Sequence, residues 1–183
     1  MLNQVSHIVL SCVLLLLSVS CKNRQDLEKT LSGFVQSEVI VPDDLDGVYG
    51  RRVSSIVLDS LKSYKFIVYY DSLDCMSCRM AYLGELEPLF DLAKENGEFS
   101  PVVIFSPRME EVEELKAKLV ASNLAFPVYI DTWGSFAACN YCIPSDELFH
   151  GFLIDGSGTP VFVGLPYKSD SLRRLFDHIF INN

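Results

Sequence analysis

The sequence predicts an α/β protein with a mixed central sheet flanked by helices. Three observations carry this prediction: apolar runs typical of buried strands, segments of helical spacing between them, and a glycine-rich turn near the carboxyl end. Strands that alternate with helices pair in parallel through crossover connections, whereas a hairpin adds antiparallel pairing. We therefore expect a mixed sheet, with parallel pairing between strands that are joined by helices and antiparallel pairing in the final hairpin.

From residue 64 onward, the predicted elements follow the order β-α-β-α-β-α-β-β-α. Residues 64–70 form a nearly continuous β-branched and aromatic run, as expected of a strand buried on both faces. Residues 76–94 have helical spacing, and Pro88 inside them is expected to bend the helix because proline lacks an amide donor. The other predicted strands are 39–41, 53–58, 101–105, 126–130, 149–154 and 160–163. Of the other predicted helices, one begins at Ser106, one spans 133–139, and the last contains the apolar positions between 172 and 179.

Length and charge limit the possible classes of protein. The chain has 183 residues, which suits one domain and a short leader, and 49% of its residues are hydrophobic, enough for one globular core. Its net charge is −9, whereas a surface that neutralises phosphates needs clustered lysine and arginine. We therefore expect no nucleic-acid partner.

The first residues are predicted to be a leader. Residues 8–19 are almost wholly apolar but too few to span a membrane, so residues 1–20 are interpreted as a signal peptide. Small residues before Cys21 resemble a bacterial lipoprotein box, in which Cys21 is the lipidated first residue of the mature chain. Residues 21–37 then form a lipid-anchored tether, and 38–183 the folded domain. An ordinary cleaved signal is the alternative, and both interpretations place the mature chain outside the cytoplasm, where disulfides persist.

The cysteines left in the mature domain form two CxxC pairs. The sequence contains six cysteines, of which Cys12 leaves with the leader and Cys21 is assigned to lipid. Cys75 and Cys78 are one remaining pair, and Cys139 and Cys142 are the other. Paired spacing in an exported protein indicates redox use, structural disulfides or a metal site.

The Cys75-Met76-Ser77-Cys78 motif lies between a predicted buried strand and the first turn of a helix. The first amides of a helix have no partners within the helix, and they stabilise a thiolate, the species that attacks disulfides. Cys75 is therefore the candidate nucleophile and Cys78 the candidate resolving cysteine. Arg79 adds positive charge nearby, whereas Asp74 disfavours a second negative charge, and the sequence leaves open which effect is larger.

This order of elements around a CxxC resembles the thioredoxin superfamily over about residues 38–181. The inserted β-α near 126–140 and the Phe152-Leu153-Ile154-Asp155-Gly156 segment are similar to its TlpA-like and peroxiredoxin-like branch. The chain also resembles uncharacterised bacterial thioredoxin-like lipoproteins. The family usually has a cis-proline before the strand that faces the CxxC, where this chain has Phe149-His150-Gly151. Phe149 and His150 are therefore candidate residues flanking the site.

The resemblance implies a membrane-tethered thiol–disulfide oxidoreductase of the envelope, similar to reductases or isomerases. Its substrates are expected to be the thiols and disulfides of envelope proteins, with electrons from a membrane redox partner and no bound cofactor. The missing proline motivates an alternative, a non-catalytic binding or accessory lipoprotein whose cysteines are structural.

Two interpretations of the second cysteine pair remain open, with a metal site as a further alternative. Cys139 and Cys142 are interpreted first as a structural disulfide and second as another redox pair. The four cysteines could also bind zinc, or Cys75, Cys78 and His150 could bind copper, as in copper-chaperone relatives of this fold.

Overall fold

The computed structural model describes residues 25–55, 57 and 60–181. The predicted signal peptide 1–20 and Cys21 lie outside the described residues, as do the first residues of the tether. Residues 25–34 are helical (α1) and belong to one compact unit, whereas a second unit begins at Val35. Within the described ranges, we find no helix with the length and hydropathy needed to cross a membrane.

The second unit contains a seven-stranded sheet and five α-helices within its described part. The strands are β1 (Asp46–Gly50), β2 (Arg52–Ser55), β3 (Tyr64–Tyr70), β4 (Phe99–Phe105), β5 (Leu124–Ile130), β6 (Gly151–Ile154) and β7 (Pro160–Val163). The helices are α2 (Met76–Ala81), α3 (Glu87–Asn96), α4 (Val112–Ser122), α5 (Ser135–Cys139) and α6 (Asp170–Ile181). Short 3-10 helices span Leu83–Leu86, Met109–Glu111, Glu147–Phe149 and Pro166–Lys168.

The sheet is mixed, with the strand order β2-β1-β5-β4-β3-β6-β7. The central strands β3, β4 and β5 are parallel, and β6 and β7 pair antiparallel beside β3, which confirms the predicted combination of crossovers and a terminal hairpin. The carboxyl ends of β3, β4 and β5 therefore meet the amino end of β6 at one edge. We call this edge of the sheet the upper edge; the CxxC motif lies at it, directly after β3.

Alternating side chains of the strands separate the core into two faces. Phe66 and Val68 of β3 belong to the larger apolar cluster, to which α2, α3, α4 and α6 contribute buried residues. Tyr69 points to the opposite face, where its ring centroid lies 5.0 Å from that of Phe136 in α5. This alternation follows from the period of two along a strand, and it places the helix that carries the CxxC on the more heavily covered face.

One predicted strand is wrong, and an unpredicted one takes its place. Residues 39–41 are not a strand, because the side-chain amide of Asn140 bonds both the N–H and the C=O of Ile40, each at 2.7 Å. The sheet instead continues through β1, whose sequence Asp-Gly-Val-Tyr-Gly is typical of a turn. Gly47 fits there because a Cβ would lie only 3.2 Å from the ring of Tyr129 on β5.

The predicted helix 76–94 is divided. It consists of α2, a 3-10 turn at Leu83–Leu86, and α3. Pro88 lies in the first turn of α3, where the missing amide has no partner to lose, so it starts a new helix instead of bending a continuous one. As a result, the helix that follows the first cysteine pair is only six residues long.

Candidate active site

A tight turn after β3 places Cys75 at the beginning of α2. The Asp71 carboxylate accepts the Leu73 N–H at 2.7 Å, and the Asp74 N–H donates to the Asp71 carbonyl at 3.1 Å. The Asp74 carboxylate in turn accepts the Asp71 N–H at 3.1 Å. These short-range hydrogen bonds are typical of aspartate in turns. They end β3 at the upper edge, so that Cys75, the residue after Asp74, caps the helix.

Cys75 and Cys78 are joined as a disulfide with their Cα atoms 5.2 Å apart. The Cys75 sulfur also accepts the Cys78 N–H at 3.3 Å, so Cys75 is the N-cap residue of α2. Both cysteines are exposed. The arrangement is compatible with thiol–disulfide exchange, because a thiolate can reach the disulfide from solvent and a helix amide faces the first sulfur.

Asp74 and Arg79 form an ion pair instead of acting separately on the cysteines. Arg79 donates from Nε and Nη2 to one Asp74 oxygen, at 2.8 and 2.6 Å, and its Nη2 lies 2.5 Å from Glu147. The hydrogen bond to Glu147, and then that to Asp74, raises the pKa of Arg79 against the opposing effect of burial. Two carboxylates therefore share one guanidinium, which leaves no surplus positive charge for Cys75.

Phe149 and His150 lie at the upper edge, directly before β6. Phe149 is buried, and His150 is 7% exposed with its Nε2 donating to the Pro144 carbonyl at 3.0 Å. The His150 ring packs edgewise on Tyr69, with ring centroids 5.3 Å apart, and its carbonyl accepts the Tyr69 N–H at 2.8 Å. These contacts hold the loop in place, and the hydrogen bond to Pro144 occupies His150 Nε2.

A cavity of about 570 Å³ opens beside the motif, and Asp74 and Arg79 form part of its wall. Its helix side includes Tyr82 and Glu85, and its opposite side includes Glu147, Leu148, Tyr167 and Lys168, while Tyr70 and Gly151 belong to its floor. Two ion pairs join the sides, Arg79 with Glu147 at 2.5 Å and Lys168 with Glu85 at 3.1 Å. Burial raises the pKa of Tyr70 and of Tyr167 to about 12, so both hydroxyls stay protonated to a more alkaline pH than an exposed tyrosine would.

Lys118 is a residue of this region that the sequence did not reveal. Its Nζ donates to Ser77 Oγ at 3.1 Å, between the two cysteines, and it also pairs with Glu114. In the sequence Lys118 is one lysine of an ordinary amphipathic helix. Its position could be found only by knowing that α4 packs against α2.

The second pair, Cys139 and Cys142, does not form the disulfide that the sequence favoured. Both are free thiols, and the Cys142 sulfur lies 3.6 Å from the Glu38 carbonyl as a donor. Asn140, which lies between them, is 3% exposed and bonds Ile40 and the Phe136 carbonyl. The loop is thus held by the asparagine, with Cys142 directed at the chain beside it instead of at Cys139.

The metal ligands considered from the sequence are not brought together. Among the described residues, no group of three or more histidine, cysteine, aspartate or glutamate side chains is placed to hold an ion. This applies to the four cysteines, and it applies to Cys75, Cys78 and His150.

No known family model matches this chain, and no curated protein matches it.

Proposed function

We propose that this protein is a thiol–disulfide oxidoreductase with a thioredoxin-like fold, tethered to a membrane in the bacterial cell envelope. One observation carries the proposal: the Cys75–Cys78 disulfide is exposed at the first turn of the helix that follows β3, an inner strand of the sheet. Redox-active cysteines need this combination of access and amide donors, whereas a structural disulfide needs neither.

The order of elements supports the thioredoxin-like fold. A strand, the CxxC helix and a parallel strand are followed by a further helix and strand, then an antiparallel hairpin and a last helix. This is the order that led to the resemblance in the sequence. The tether and the lipid on Cys21 are inferred from the sequence of the leader, and they would keep the domain beside a membrane redox partner.

The proposed reaction is thiol–disulfide exchange in two steps. The reduced Cys75 thiolate attacks one sulfur of a protein disulfide, which forms a mixed disulfide and releases one substrate thiol. Cys78 then attacks the Cys75 sulfur, which restores the Cys75–Cys78 disulfide and releases the second substrate thiol. Two electrons pass to the substrate, and a dithiol of the membrane partner returns them, so the protein needs no bound cofactor.

The reduction potential of the pair tests this proposal. We would equilibrate the full chain, extracted in detergent, across a glutathione series, alkylate it, and quantify each cysteine-containing peptide by mass spectrometry. Cys75 and Cys78 are expected to titrate together and reversibly at roughly −120 to −270 mV, the range of known oxidoreductases. A pair that stays oxidised below about −300 mV is a structural disulfide, and that result would favour the non-catalytic alternative.

Substrate trapping provides the second part of the test. In a Cys78→Ser chain the mixed disulfide cannot be resolved, so envelope proteins should remain bound to Cys75 and be released by a reductant. The matched control is Cys142→Ser, the same substitution in the other CxxC, which should trap nothing through Cys75. Equal trapping by both variants would contradict the assigned roles.

A further inference from the structure

Negative charge predominates around the Cys75–Cys78 motif. Arg79 is shared by Asp74 and Glu147, at 2.6 and 2.5 Å, so this group of three carries a net negative charge. A thiolate at Cys75 adds another negative charge, and like charges disfavour each other. The charged side chains around the motif include Asp71, Asp74 and Arg79 from its own turn and helix, Glu147 from the facing 3-10 helix, and Glu114 and Lys118 from α4. The ion-paired Glu85 and Lys168 line the cavity beside Asp74 and Arg79.

Lys118 brings a positive charge to the motif from another helix. Its Nζ donates to Ser77 Oγ at 3.1 Å, and Ser77 separates Cys78 from Met76. The orientation of α4 is set by Leu115 and Leu119, which are buried in the core cluster. Glu114, one turn earlier, pairs with Lys118, and this hydrogen bond lowers the pKa of Glu114.

We propose that Lys118 is a positioning residue that stabilises the thiolate of the reduced Cys75–Cys78 pair and so helps to set its reactivity. The inference rests on the proposed function for its biological meaning. Reduction of the disulfide by a dithiol of the membrane partner gives two thiols on this protein and a disulfide on the partner. Cys75 then releases its proton to solvent, and the resulting negative charge is the one that Lys118 opposes.

The effect should be moderate and sensitive to salt. The Lys118 side chain is 43% exposed, so water screens its charge. At pH values below the midpoint of Cys75 ionisation, we expect Lys118→Met to slow alkylation of Cys75 about twofold to fourfold. In 1 M salt, where the Debye length is about 3 Å, most of this difference should disappear.

The experiment compares variants of the reduced full chain by the rate at which iodoacetamide alkylates Cys75 across a pH series. Lys118→Met is expected to move the profile to higher pH, and Lys118→Arg to restore it because the charge returns. Glu114→Gln removes the carboxylate that competes for Lys118, so it should move the profile to lower pH. The matched control is Lys116→Met, since Lys116 lies on the same helix but pairs with Asp46, at 2.9 Å.

Superimposable profiles for the wild-type and Lys118→Met chains would overturn the inference, and so would an equal shift in Lys116→Met. Failure of the proposed function is a separate result, because it is measured by the glutathione titration of the wild-type pair. Alkylation needs only a reduced Cys75, so it reports the effect of Lys118 whether or not the pair exchanges with a substrate.

Discussion

At the scale of single residues, the two CxxC pairs show that spacing alone does not determine the chemistry of a cysteine. Cys75 is the N-cap of α2 and faces an amide N–H, whereas Cys139 is the last residue of α5. Helix amino ends favour negative charge and carboxyl ends disfavour it. The helix end therefore favours a thiolate at Cys75 and disfavours one at Cys139.

Asp74 gives the residue-scale prediction. Asp74 directly precedes Cys75, and its side chain is 5% exposed and forms an ion pair with Arg79. Asp74→Asn keeps the shape but removes one of the two carboxylates that share Arg79, so the thiolate of Cys75 should become more favourable. We expect alkylation of reduced Cys75 below its ionisation midpoint to become roughly threefold to tenfold faster. A slower reaction in Asp74→Asn, with an unchanged Asp91→Asn control, would contradict this account.

At the scale of elements, a buried hydrogen-bond group fixes the start of α5. Asp131 is 2% exposed and follows β5 at the upper edge. Its carboxylate accepts the Ser106 hydroxyl at 2.8 Å and the N–H groups of Phe136 and Ala137, both at 3.1 Å. One side chain thus links the ends of β4 and β5 to the helix that covers Tyr69.

Removal of that carboxylate should be costly. In Asp131→Ala the Ser106 hydroxyl and two helix amides lose their acceptor in a buried place, so we expect the free energy of unfolding to fall by roughly 2–4 kcal/mol. Ser106→Ala removes the hydroxyl that donates to Asp131 but leaves both helix amides bonded to the carboxylate, so it should cost only about 1 kcal/mol. Urea denaturation followed by circular dichroism measures both. Equal effects of the two substitutions would show that Asp131 does not hold α5.

At the scale of the whole molecule, the sheet and not the disulfide holds the fold together. Both faces of β3 are covered, and its residues Phe66, Ile67 and Val68 are at most 4% exposed. The Cys75–Cys78 bond joins residues only three apart at the surface. It therefore restricts the unfolded chain little, and in the loop-entropy account it stabilises the fold by only about 2 kcal/mol.

Reduction of the protein should accordingly leave the fold intact. We expect the reduced full chain to keep its circular dichroism spectrum and to lose at most about 2 kcal/mol of stability in urea denaturation. A Cys75→Ser/Cys78→Ser chain provides a control that reductant cannot affect. If the reductant unfolded the wild-type chain but not the double-serine chain, the pair would be a structural disulfide. The proposed enzyme would then lose its main support.

The sequence by itself determined the elements whose patterns are local. β3 spans the predicted residues 64–70, and β7 the predicted 160–163, because a buried strand shows as a run of apolar residues wherever its partners lie. The position of Cys75 between strand and helix was readable for the same reason. Strand β1 was not, since two glycines hide a strand whose pairing with β5 supplies its stability.

Only the tertiary structure decided the environment of the cysteines. Lys118 reaches Ser77 across 41 residues of sequence, and Cys142 reaches Glu38 across 104. Arg79 likewise contacts Glu147 through the packing of separate elements, so its positive charge is shared with that carboxylate and is not available to Cys75 alone. Charges and thiols respond to neighbours in space, and those neighbours exist only after the sheet has brought its strand ends to one edge.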